Sequence, residues 1–370
     1  MAVYAVGILK WLSSLCEKTL EKQVSVLKFV FRGLFYIAVL PCVVPLLRRK
    51  PLEAAAFRSQ IGGRKLQTLQ ARKGIKMVNF NEIRKALISK LGEPYYHTDS
   101  CILFCGDTLQ MQKKLNNQYF DAIITSPPYN IGKEYEDVKP LSDYIEWSAQ
   151  WINGASNLLL PYGALLLNLG YVFVDGKGRA VPLPYLLWDK VPLFLNQEIV
   201  WNYSAGVACK NYLSPRNEKI LWYVKDNKNY VFNLDPIRDK NVKYPNSKRN
   251  GKLRVNTLGK NPSDVWEIAK VTTGRNRSSK ERTPHPCQFP TDLIDKLVLG
   301  FTNENAIVFD PFVGSGTTFD SCLRNNRFCV GFEISESYCE IAKQRIISTI
   351  NAMENLVEQT EMEVLYHESI

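Results

Sequence analysis

The sequence predicts an α/β fold in which short buried strands alternate with amphipathic helices. Short, mostly apolar runs at residues 101–105, 121–124, 164–167 and 306–309 recur between helical patterns. Strands this apolar are typical of a sheet that is covered on both faces. Acidic residues follow several of these runs, and α/β proteins bind ligands at the carboxyl ends of their strands. The sequence therefore predicts a ligand-binding α/β domain.

The remaining elements follow from spacing and from helix breakers. Helices are expected at residues 79–91, 108–115, 141–160, 291–301, 319–325 and 335–350. Further strands are expected at residues 197–203, 219–224 and 328–332. Pro161-Tyr162-Gly163 predicts a turn, because proline and glycine interrupt regular structure. Helices and strands thus alternate up to residue 350, and we assign residues 351–370 to a C-terminal tail.

The charge of the chain is concentrated in one segment. The 370 residues include 45% hydrophobic and 22% charged residues, as in an ordinary globular protein. The net charge of +11 predicts an anionic partner, with nucleic acid favoured over a membrane surface. Residues 205–282 carry 18 Lys and Arg against 7 Asp and Glu, which equals the whole excess. A charge run is usually a solvated face, but this concentration favours contact with phosphates.

Cysteine and histidine usage bears on metals and on the cellular compartment. The nine cysteines are scattered, no pair has the Cys-x-x-Cys spacing, and only three histidines are present. No metal site is therefore expected. Reduced thiols in a cytoplasmic protein are the simplest interpretation.

Residues 1–76 do not share the pattern of the rest of the chain. Val26 to Leu47 is apolar but interrupted by Lys28 and Arg32, and its uninterrupted part is shorter than the roughly 20 residues of a spanning helix. No cleavage site of a signal peptide is recognisable. A membrane-surface anchor, an atypical native extension and upstream DNA translated from a wrong start codon are all open. We favour the last two, with Met77 as the alternative start, and assign the segment no function.

The motif Thr125-Ser126-Pro127-Pro128-Tyr129-Asn130 directly follows the strand predicted at 121–124. Two consecutive prolines have no N–H to donate, so the strand ends there with a stiff backbone. Ser126 Oγ and the Pro127 carbonyl could accept the two N–H groups of an exocyclic amine. The ring of Tyr129 could stack on the planar group that carries the amine. A plain strand-ending turn would have the same sequence, so the rest of the chain must decide.

A glycine loop, Gly314-Ser315-Gly316, lies between the strand that ends at Asp310 and the next helix. Glycines here let the backbone approach a ligand closely. Glu333 ends the following strand and suits the two hydroxyls of a ribose. Phe319 occupies the place of the third glycine of a nicotinamide-binding loop, and Asp310 suits an ammonium group better than a pyrophosphate. S-adenosylmethionine carries an ammonium group, a ribose and an adenine.

Three motifs together carry a resemblance to a known family. They are Thr125-Ser126-Pro127-Pro128-Tyr129, His285-Pro286-x-x-Phe289-Pro290 and Asp310-Pro311-Phe312-x-Gly314-Ser315-Gly316-Thr317-Thr318. Over roughly residues 101–350 the chain resembles the amino-DNA methyltransferases of bacterial and archaeal restriction–modification systems. The order of catalytic motif, target-recognition insert and cofactor motif is that of their β group.

The resemblance implies a Rossmann-like methyltransferase fold with a mixed seven-stranded sheet and a basic target-recognition insert. It implies S-adenosyl-L-methionine as cofactor and double-stranded DNA as substrate. By motif match, the catalytic pocket would comprise Ser126, Pro127, Pro128 and Tyr129. The cofactor would contact Asp107 near the adenine, Glu333 at the ribose, and Asp310, Pro311, Phe312, Gly314, Gly316, Thr317 and Thr318 elsewhere. Residues 77–204 would be the catalytic part, 205–282 the insert and 283–350 the cofactor-binding part.

The resemblance also bears on the methylated base. In this family a serine at the first motif position, here Ser126, usually accompanies the N4 amine of cytosine, and aspartate or asparagine the N6 amine of adenine, with exceptions. A cytosine-N4-specific enzyme is therefore expected, which protects DNA from a cognate restriction endonuclease without a stable complex. An N6-adenine enzyme, an RNA or protein methyltransferase and a non-enzymatic DNA-binding module are the alternatives. The oligomeric state stays open.

Pro286-Cys287-Gln288 resembles the nucleophile tripeptide of enzymes that methylate carbon 5 of cytosine. In that class the cysteine motif follows the cofactor glycines, whereas Cys287 precedes them. A Cys287 nucleophile would also leave the Ser126 motif unexplained. We therefore interpret this segment as a wall of the cofactor site or a helix entry.

Overall fold

A computed structural model describes residues 79–368 apart from residues 135, 204–205, 207, 272–278 and 280. The predictions for residues 1–76, and for Met77 as a start, lie outside this range. The helices are α1 (Phe80–Leu91), α2 (Thr108–Lys113), α3 (Leu141–Asn157), α4 (Leu183–Leu187), α5 (Thr291–Phe301), α6 (Thr317–Arg324) and α7 (Glu336–Glu368). The strands are β1 (Tyr96–His97), β2 (Cys101–Cys105), β3 (Phe120–Thr125), β4 (Leu159–Leu169), β5 (Tyr171–Val174), β6 (Gly178–Pro182), β7 (Phe194–Asn202), β8 (Asn217–Val224), β9 (Lys248–Arg249), β10 (Lys252–Leu253), β11 (Val265–Glu267), β12 (Ile307–Asp310) and β13 (Phe328–Glu333).

The central sheet has the strand order β1-β2-β13-β12-β3-β4-β8-β7-β11 within the described residues. The strands β2, β13, β12, β3 and β4 run parallel, and β8 pairs antiparallel with both β4 and β7. The predicted Rossmann-like mixed sheet is confirmed. It has nine strands rather than seven, because the short strands β1 and β11 pair at its two edges. Two or three residues are too few to show a strand period in sequence.

Helices cover both faces of the sheet. Alternate residues of each strand point to opposite faces of the sheet. Ile102 and Phe104 therefore lie on the face that packs with α1 and α3, and Cys101 and Leu103 lie on the opposite face. The second face is covered by α5, α6 and α7. This double cover explains why the parallel strands are apolar throughout.

Two element boundaries differ from the sequence prediction. Helix α3 ends at Asn157, and the expected turn at Pro161–Gly163 lies inside β4, where the ladder with β3 shifts register. The long strand absorbs the proline as a bulge, which a local sequence pattern does not reveal. Helix α7 continues to Glu368 instead of ending at residue 350. It contains no glycine or proline that would stop it.

The basic segment 205–282 does not lie wholly outside the sheet. It contributes β8 to the interior of the sheet and β11 to its edge. The part that leaves the sheet lies between these two strands, at residues 225–264. None of the helices in the described ranges combines the length and apolarity that a membrane crossing requires.

Candidate active site

The predicted site residues converge on one edge of the sheet. The carboxyl ends of β2, β13, β12, β3 and β4 share this edge because the strands are parallel. A cleft of about 1320 Å³ opens there. The following predicted residues line it: Asp107, Ser126, Pro127, Pro128, Tyr129, Asp310, Pro311, Phe312, Gly314, Thr317, Thr318 and Glu333. Gly316 does not line the cleft.

The carboxyl of Asp310 joins the ends of β3 and β12. It is 3% exposed. Thr125 Oγ1 donates to Oδ1 at 2.8 Å, and Thr318 Oγ1 donates to Oδ2 at 2.6 Å. The N–H of Phe312 also donates to Oδ1, at 3.1 Å. Burial raises the pKa of Asp310 to about 7, although these three hydrogen bonds favour the ionised form. A cation in the cleft would favour that ionised form further.

The glycine loop has a left-handed backbone at Gly314 (φ 53°) and Gly316 (φ 76°). Glycine adopts such angles at no steric cost. A Cβ on Gly314 would lie 3.0 Å from His285 Nε2, across the cleft wall. A Cβ on Gly316 would lie 3.0 Å from the Cα of Ala342 in α7. The Gly314 backbone thus lies close to His285 at the cleft wall, whereas the Gly316 backbone packs closely on helix α7.

Glu333 is tied to the glycine loop. The N–H of Gly314 donates to Glu333 Oε2 at 2.8 Å, and the N–H of Ser335 donates to Oε1 at 2.9 Å. Burial raises the pKa of this carboxyl. An ionised carboxylate has about four lone-pair positions, so Glu333 retains acceptor capacity at the cleft.

Other predicted residues shape the cleft wall. The ring of Phe312 packs edge-on against Trp151, 5.0 Å between centroids. The Thr317 hydroxyl is engaged within the protein, since it accepts from Arg345 Nη1 at 3.0 Å. Asp107 caps α2 by accepting from the N–H of Gln110 at 2.9 Å. Burial lowers the pKa of His285 to about 4, so this wall residue is neutral near pH 7.

The Ser-Pro-Pro-Tyr motif forms a fixed turn at the end of β3. Ser126 Oγ donates to Tyr129 Oη at 2.9 Å. The Tyr129 ring packs against Gly170, where an added Cβ would lie 2.8 Å from Cε2. Asn130 follows in a left-handed conformation (φ 60°), and its side chain exchanges two hydrogen bonds with the backbone of Lys139. The turn is thus held on both sides.

Three residues that the motifs did not indicate complete the polar surroundings of Tyr129. Asn168 Nδ2 donates to Tyr129 Oη at 2.6 Å and to Glu218 Oε2 at 2.7 Å. Tyr129 Oη donates to Glu218 Oε2 at 3.1 Å, and Lys270 Nζ forms an ion pair with Glu218 Oε1 at 2.8 Å. The sequence signal for Glu218 was an acid at the amino end of an apolar strand. Antiparallel pairing of β8 with β4 brings that end to the carboxyl edge of the parallel strands.

A basic hairpin rises from the segment between β8 and β11. Its base is closed by Asp239 and Lys260, which exchange backbone hydrogen bonds at 2.9 and 3.0 Å. Strands β9 and β10 are joined by Asn250 and Gly251, both left-handed, as in a tight hairpin turn. Residues 240–259 contain no Asp or Glu. Six exposed cationic side chains lie along the hairpin: Lys240, Lys243, Lys248, Arg249, Lys252 and Arg254.

Comparison with known proteins places the chain in a family. The profile of the N6_N4_Mtase family, described as DNA methylase, matches residues 120–344. The Type II methyltransferase M.ScaI of Streptomyces caespitosus is 51% identical over 265 residues, which are 72% of this chain and 86% of that protein. The Type II methyltransferase M.BglII of Bacillus subtilis is 36% identical over 65% of this chain and 68% of that protein.

The chain belongs to the N6/N4 DNA methylase family. It is a DNA methyltransferase of the restriction–modification type, as the motifs implied, and its cofactor is S-adenosyl-L-methionine. The structure of the cytosine-N4-specific PvuII DNA methyltransferase matches with a TM-score of 0.52 at 18% identity, over 71% of this chain and 95% of that one. At this identity the match shows the fold alone. The cleft fits the cofactor, since it offers a glycine for close approach, an ionisable buried acid and a carboxylate with spare acceptor capacity.

Replacing Gly314 with alanine is expected to weaken S-adenosylmethionine binding by at least about tenfold. The new methyl group would crowd His285 and force a strained left-handed backbone. Isothermal titration calorimetry measures the effect. Gly176→Ala is the matched control, because its φ of 65° imposes the same strain where nothing lies within 4 Å. Equal affinities of the two variants would contradict a close approach at Gly314.

Proposed function

We propose that this DNA methyltransferase transfers a methyl group from S-adenosylmethionine to the exocyclic N4 amine of cytosine in duplex DNA. The observation that carries the choice of base is Ser126 at the first motif position, on the cleft wall beside Tyr129. The modification would protect the site from a cognate restriction endonuclease. The names of the two curated relatives, Type II methyltransferases, state no base.

The cofactor assignment rests on the acids and glycine of the cleft. Asp310 would hold the ammonium group, because a positive charge favours ionisation of a buried carboxyl. Glu333 would accept the ribose hydroxyls, and Gly314 would let the backbone approach the ligand. Asp107, which lines the cleft just beyond the end of β2, would lie near the adenine. Bound S-adenosylmethionine supplies an electrophilic methyl group on a sulfonium.

The catalytic pocket must make a poor nucleophile reactive. The lone pair of an exocyclic amine is delocalised into the base. Hydrogen bonds from its two N–H groups to Ser126 Oγ and the Pro127 carbonyl would favour a tetrahedral nitrogen, whose lone pair is then localised. Holding this nitrogen at near-attack distance is most of what the chain must supply. No covalent enzyme intermediate is needed, and Cys287 has no role in this scheme.

Duplex DNA must present the base outside the helix and be held by its backbone. A base inside a duplex is out of reach of the cleft, so it would be flipped out. The hairpin at residues 240–259 would contact phosphates, because it is acid-free, cationic and exposed. Arg249 and Lys252 face each other directly across its two strands. Like charges in that position are unfavourable unless an anion lies between them.

The methylated base is identified directly. The protein is incubated with labelled S-adenosylmethionine and unmethylated duplex DNA, and the DNA is then digested to nucleosides for mass analysis. We expect the label in N4-methylcytosine. Ser126→Ala is expected to lower kcat about 10- to 100-fold, because one acceptor of the amine is lost. Ser142→Ala, an exposed serine in the first turn of α3, is the control. N6-methyladenine would overturn the base assignment, 5-methylcytosine would make Cys287 the nucleophile, and an unlabelled DNA would refute the proposal.

Asp310 predicts a pH dependence of both stability and cofactor binding. Its pKa is 3.8 ordinarily and about 7 in the fold, so the folded chain binds more protons between these values. The free energy of unfolding should therefore fall as pH rises from about 4 to 7. Affinity for the cationic cofactor should rise over the upper part of the same range. Denaturant titrations and calorimetry at several pH values measure the two effects.

Two asparagine variants separate these effects. Asp310→Asn should flatten both pH profiles. Asp121→Asn is the control, because Asp121 is a half-buried acid whose pKa is also raised by desolvation, but it lies at the amino end of β3. Asp121→Asn should reduce the pH dependence of stability in part and leave the pH dependence of cofactor affinity unchanged. A pH-independent cofactor affinity in the unaltered chain would contradict the role of Asp310.

Phosphate contact by the hairpin predicts a change in salt dependence. Arg249→Gln together with Lys252→Gln should reduce the slope of log affinity for DNA against log salt by up to about 2, since each phosphate contact contributes about 0.9. Lys113→Gln with Lys114→Gln is the matched control, because these exposed lysines lie at the far end of α2. Binding assays at several salt concentrations measure the slope. An unchanged slope in the hairpin variant would exclude these phosphate contacts.

A further inference from the structure

The hydroxyl of Tyr129 lies at the centre of a polar network behind the Ser-Pro-Pro-Tyr turn. Four groups lie within hydrogen-bond distance of Oη: Ser126 Oγ at 2.9 Å, Asn168 Nδ2 at 2.6 Å, Glu218 Oε2 at 3.1 Å and the Asn168 carbonyl at 3.3 Å. Asn168 is 2% exposed. The Glu218 side chain is 13% exposed and that of Lys270 is 24% exposed. The network is therefore largely withdrawn from water.

Donor and acceptor chemistry fixes the directions of these hydrogen bonds. Glu218 Oε2 and the Asn168 backbone carbonyl can both only accept, and Tyr129 donates its single hydrogen toward Glu218 because that oxygen is nearer, at 3.1 Å against 3.3 Å, and charged. The amide nitrogen of Asn168 only donates, so it takes one lone pair of Tyr129 Oη. The other lone pair is left for Ser126, which must then donate its own hydrogen to Tyr129. The lone pairs of Ser126 Oγ are left as acceptors.

This direction is the one that the proposed reaction requires. An exocyclic amine presents N–H donors, so Ser126 must accept from it. A serine hydroxyl otherwise rotates freely between donating and accepting. The ion pair with Lys270 at 2.8 Å holds the Glu218 side chain in place, and Lys270 Nζ also lies 3.7 Å from the centroid of the Tyr203 ring. Lys270 thus holds in place the Glu218 carboxylate, whose negative charge sets the direction of the hydrogen bonds.

Resting on the proposed function, we propose that Glu218 is a positioning residue for methyl transfer. Through Tyr129 it fixes the Ser126 hydroxyl so that its lone pairs face the amine of the target base. Lys270 orients the Glu218 carboxylate through their ion pair. Neither side chain needs to touch the base or the cofactor for this role.

A purely structural role for Glu218 makes a different prediction. In that case its loss would lower the thermal stability, and any effect on activity would add to that of a Tyr129 variant. A positioning role acts through one hydroxyl, so the two substitutions should not be additive. The two roles are therefore distinguished by a double-mutant cycle in kcat.

The experiment measures kcat, KM for duplex DNA and S-adenosylmethionine affinity for Glu218→Gln, Tyr129→Phe and the double variant. Glu218→Gln should lower kcat about 10- to 100-fold, the value of a hydrogen bond to a charged group. KM and cofactor affinity should change less than about twofold. The double variant should be no slower than the slower single variant. Glu198→Gln is the matched control, because it breaks a Glu–Lys pair on β7 away from the cleft.

The outcomes separate this inference from the proposed function. A full-length chain that methylates no DNA base refutes the proposed function and the inference with it. Active chain with an unchanged kcat in Glu218→Gln, or with additive losses in the double variant, overturns the inference alone. If Glu218→Gln does not fold, Glu218→Gln with Lys270→Met removes both charges and is compared with Lys270→Met alone. A lower kcat in this double variant than in Lys270→Met alone supports the inference, and equal kcat values in the two variants overturn it.

Discussion

The hydrogen bonds of Asp310 hold the two halves of the site together. Thr125, which ends β3, donates to this carboxyl across 185 residues of sequence. The chain leads from β12 to β13 on one side of this point and from β3 to β4 on the other. Such a reversal opens the crevice in which α/β sheets bind ligands. Because Ser126 follows Thr125 directly, the position of the Ser-Pro-Pro-Tyr turn depends on the strand that leads into the glycine loop.

This junction is costly for the fold. A carboxyl that is 3% exposed loses hydration, and the rise of its pKa to about 7 shows that three hydrogen bonds do not fully offset the loss. A neutral isostere would fit the two threonines with less electrostatic cost. A buried acid with a perturbed pKa at a cleft is typical of a functional group rather than of a packing residue. The proposed ammonium ligand would give this acid a counter-charge, which the residues that the structure describes do not supply there.

The sequence predicted the residues that lie at the carboxyl ends of parallel strands, because a strand, its last residue and the following turn are local features. Asp107, Ser126, Asp310 and Glu333 all line one cleft as a result. It could not predict Glu218, Asn168 or Lys270, since their meeting depends on the antiparallel register of β8 with β4 and on the parallel pairing of β11 with β7. Gly316 was assigned to the cofactor because it shares a motif with Gly314. Only the packing of α7 distinguishes the two glycines.

Under the proposed function, the strands β8 and β11 would connect DNA recognition to methyl transfer. The basic excursion leaves the sheet after β8 and returns to it at β11, so its length and sequence can vary without disturbing the parallel strands. Yet β8 carries Glu218 at its amino end and the residues after β11 carry Lys270, and their ion pair at 2.8 Å lies beside Tyr129 and joins the two segments that flank the excursion. If the excursion reads DNA as proposed, a change of DNA specificity would be least disruptive between residues 225 and 264, where it leaves both strands in register. Changes that disturb the pairing of β8 or β11 itself would alter the surroundings of the Ser-Pro-Pro-Tyr turn as well.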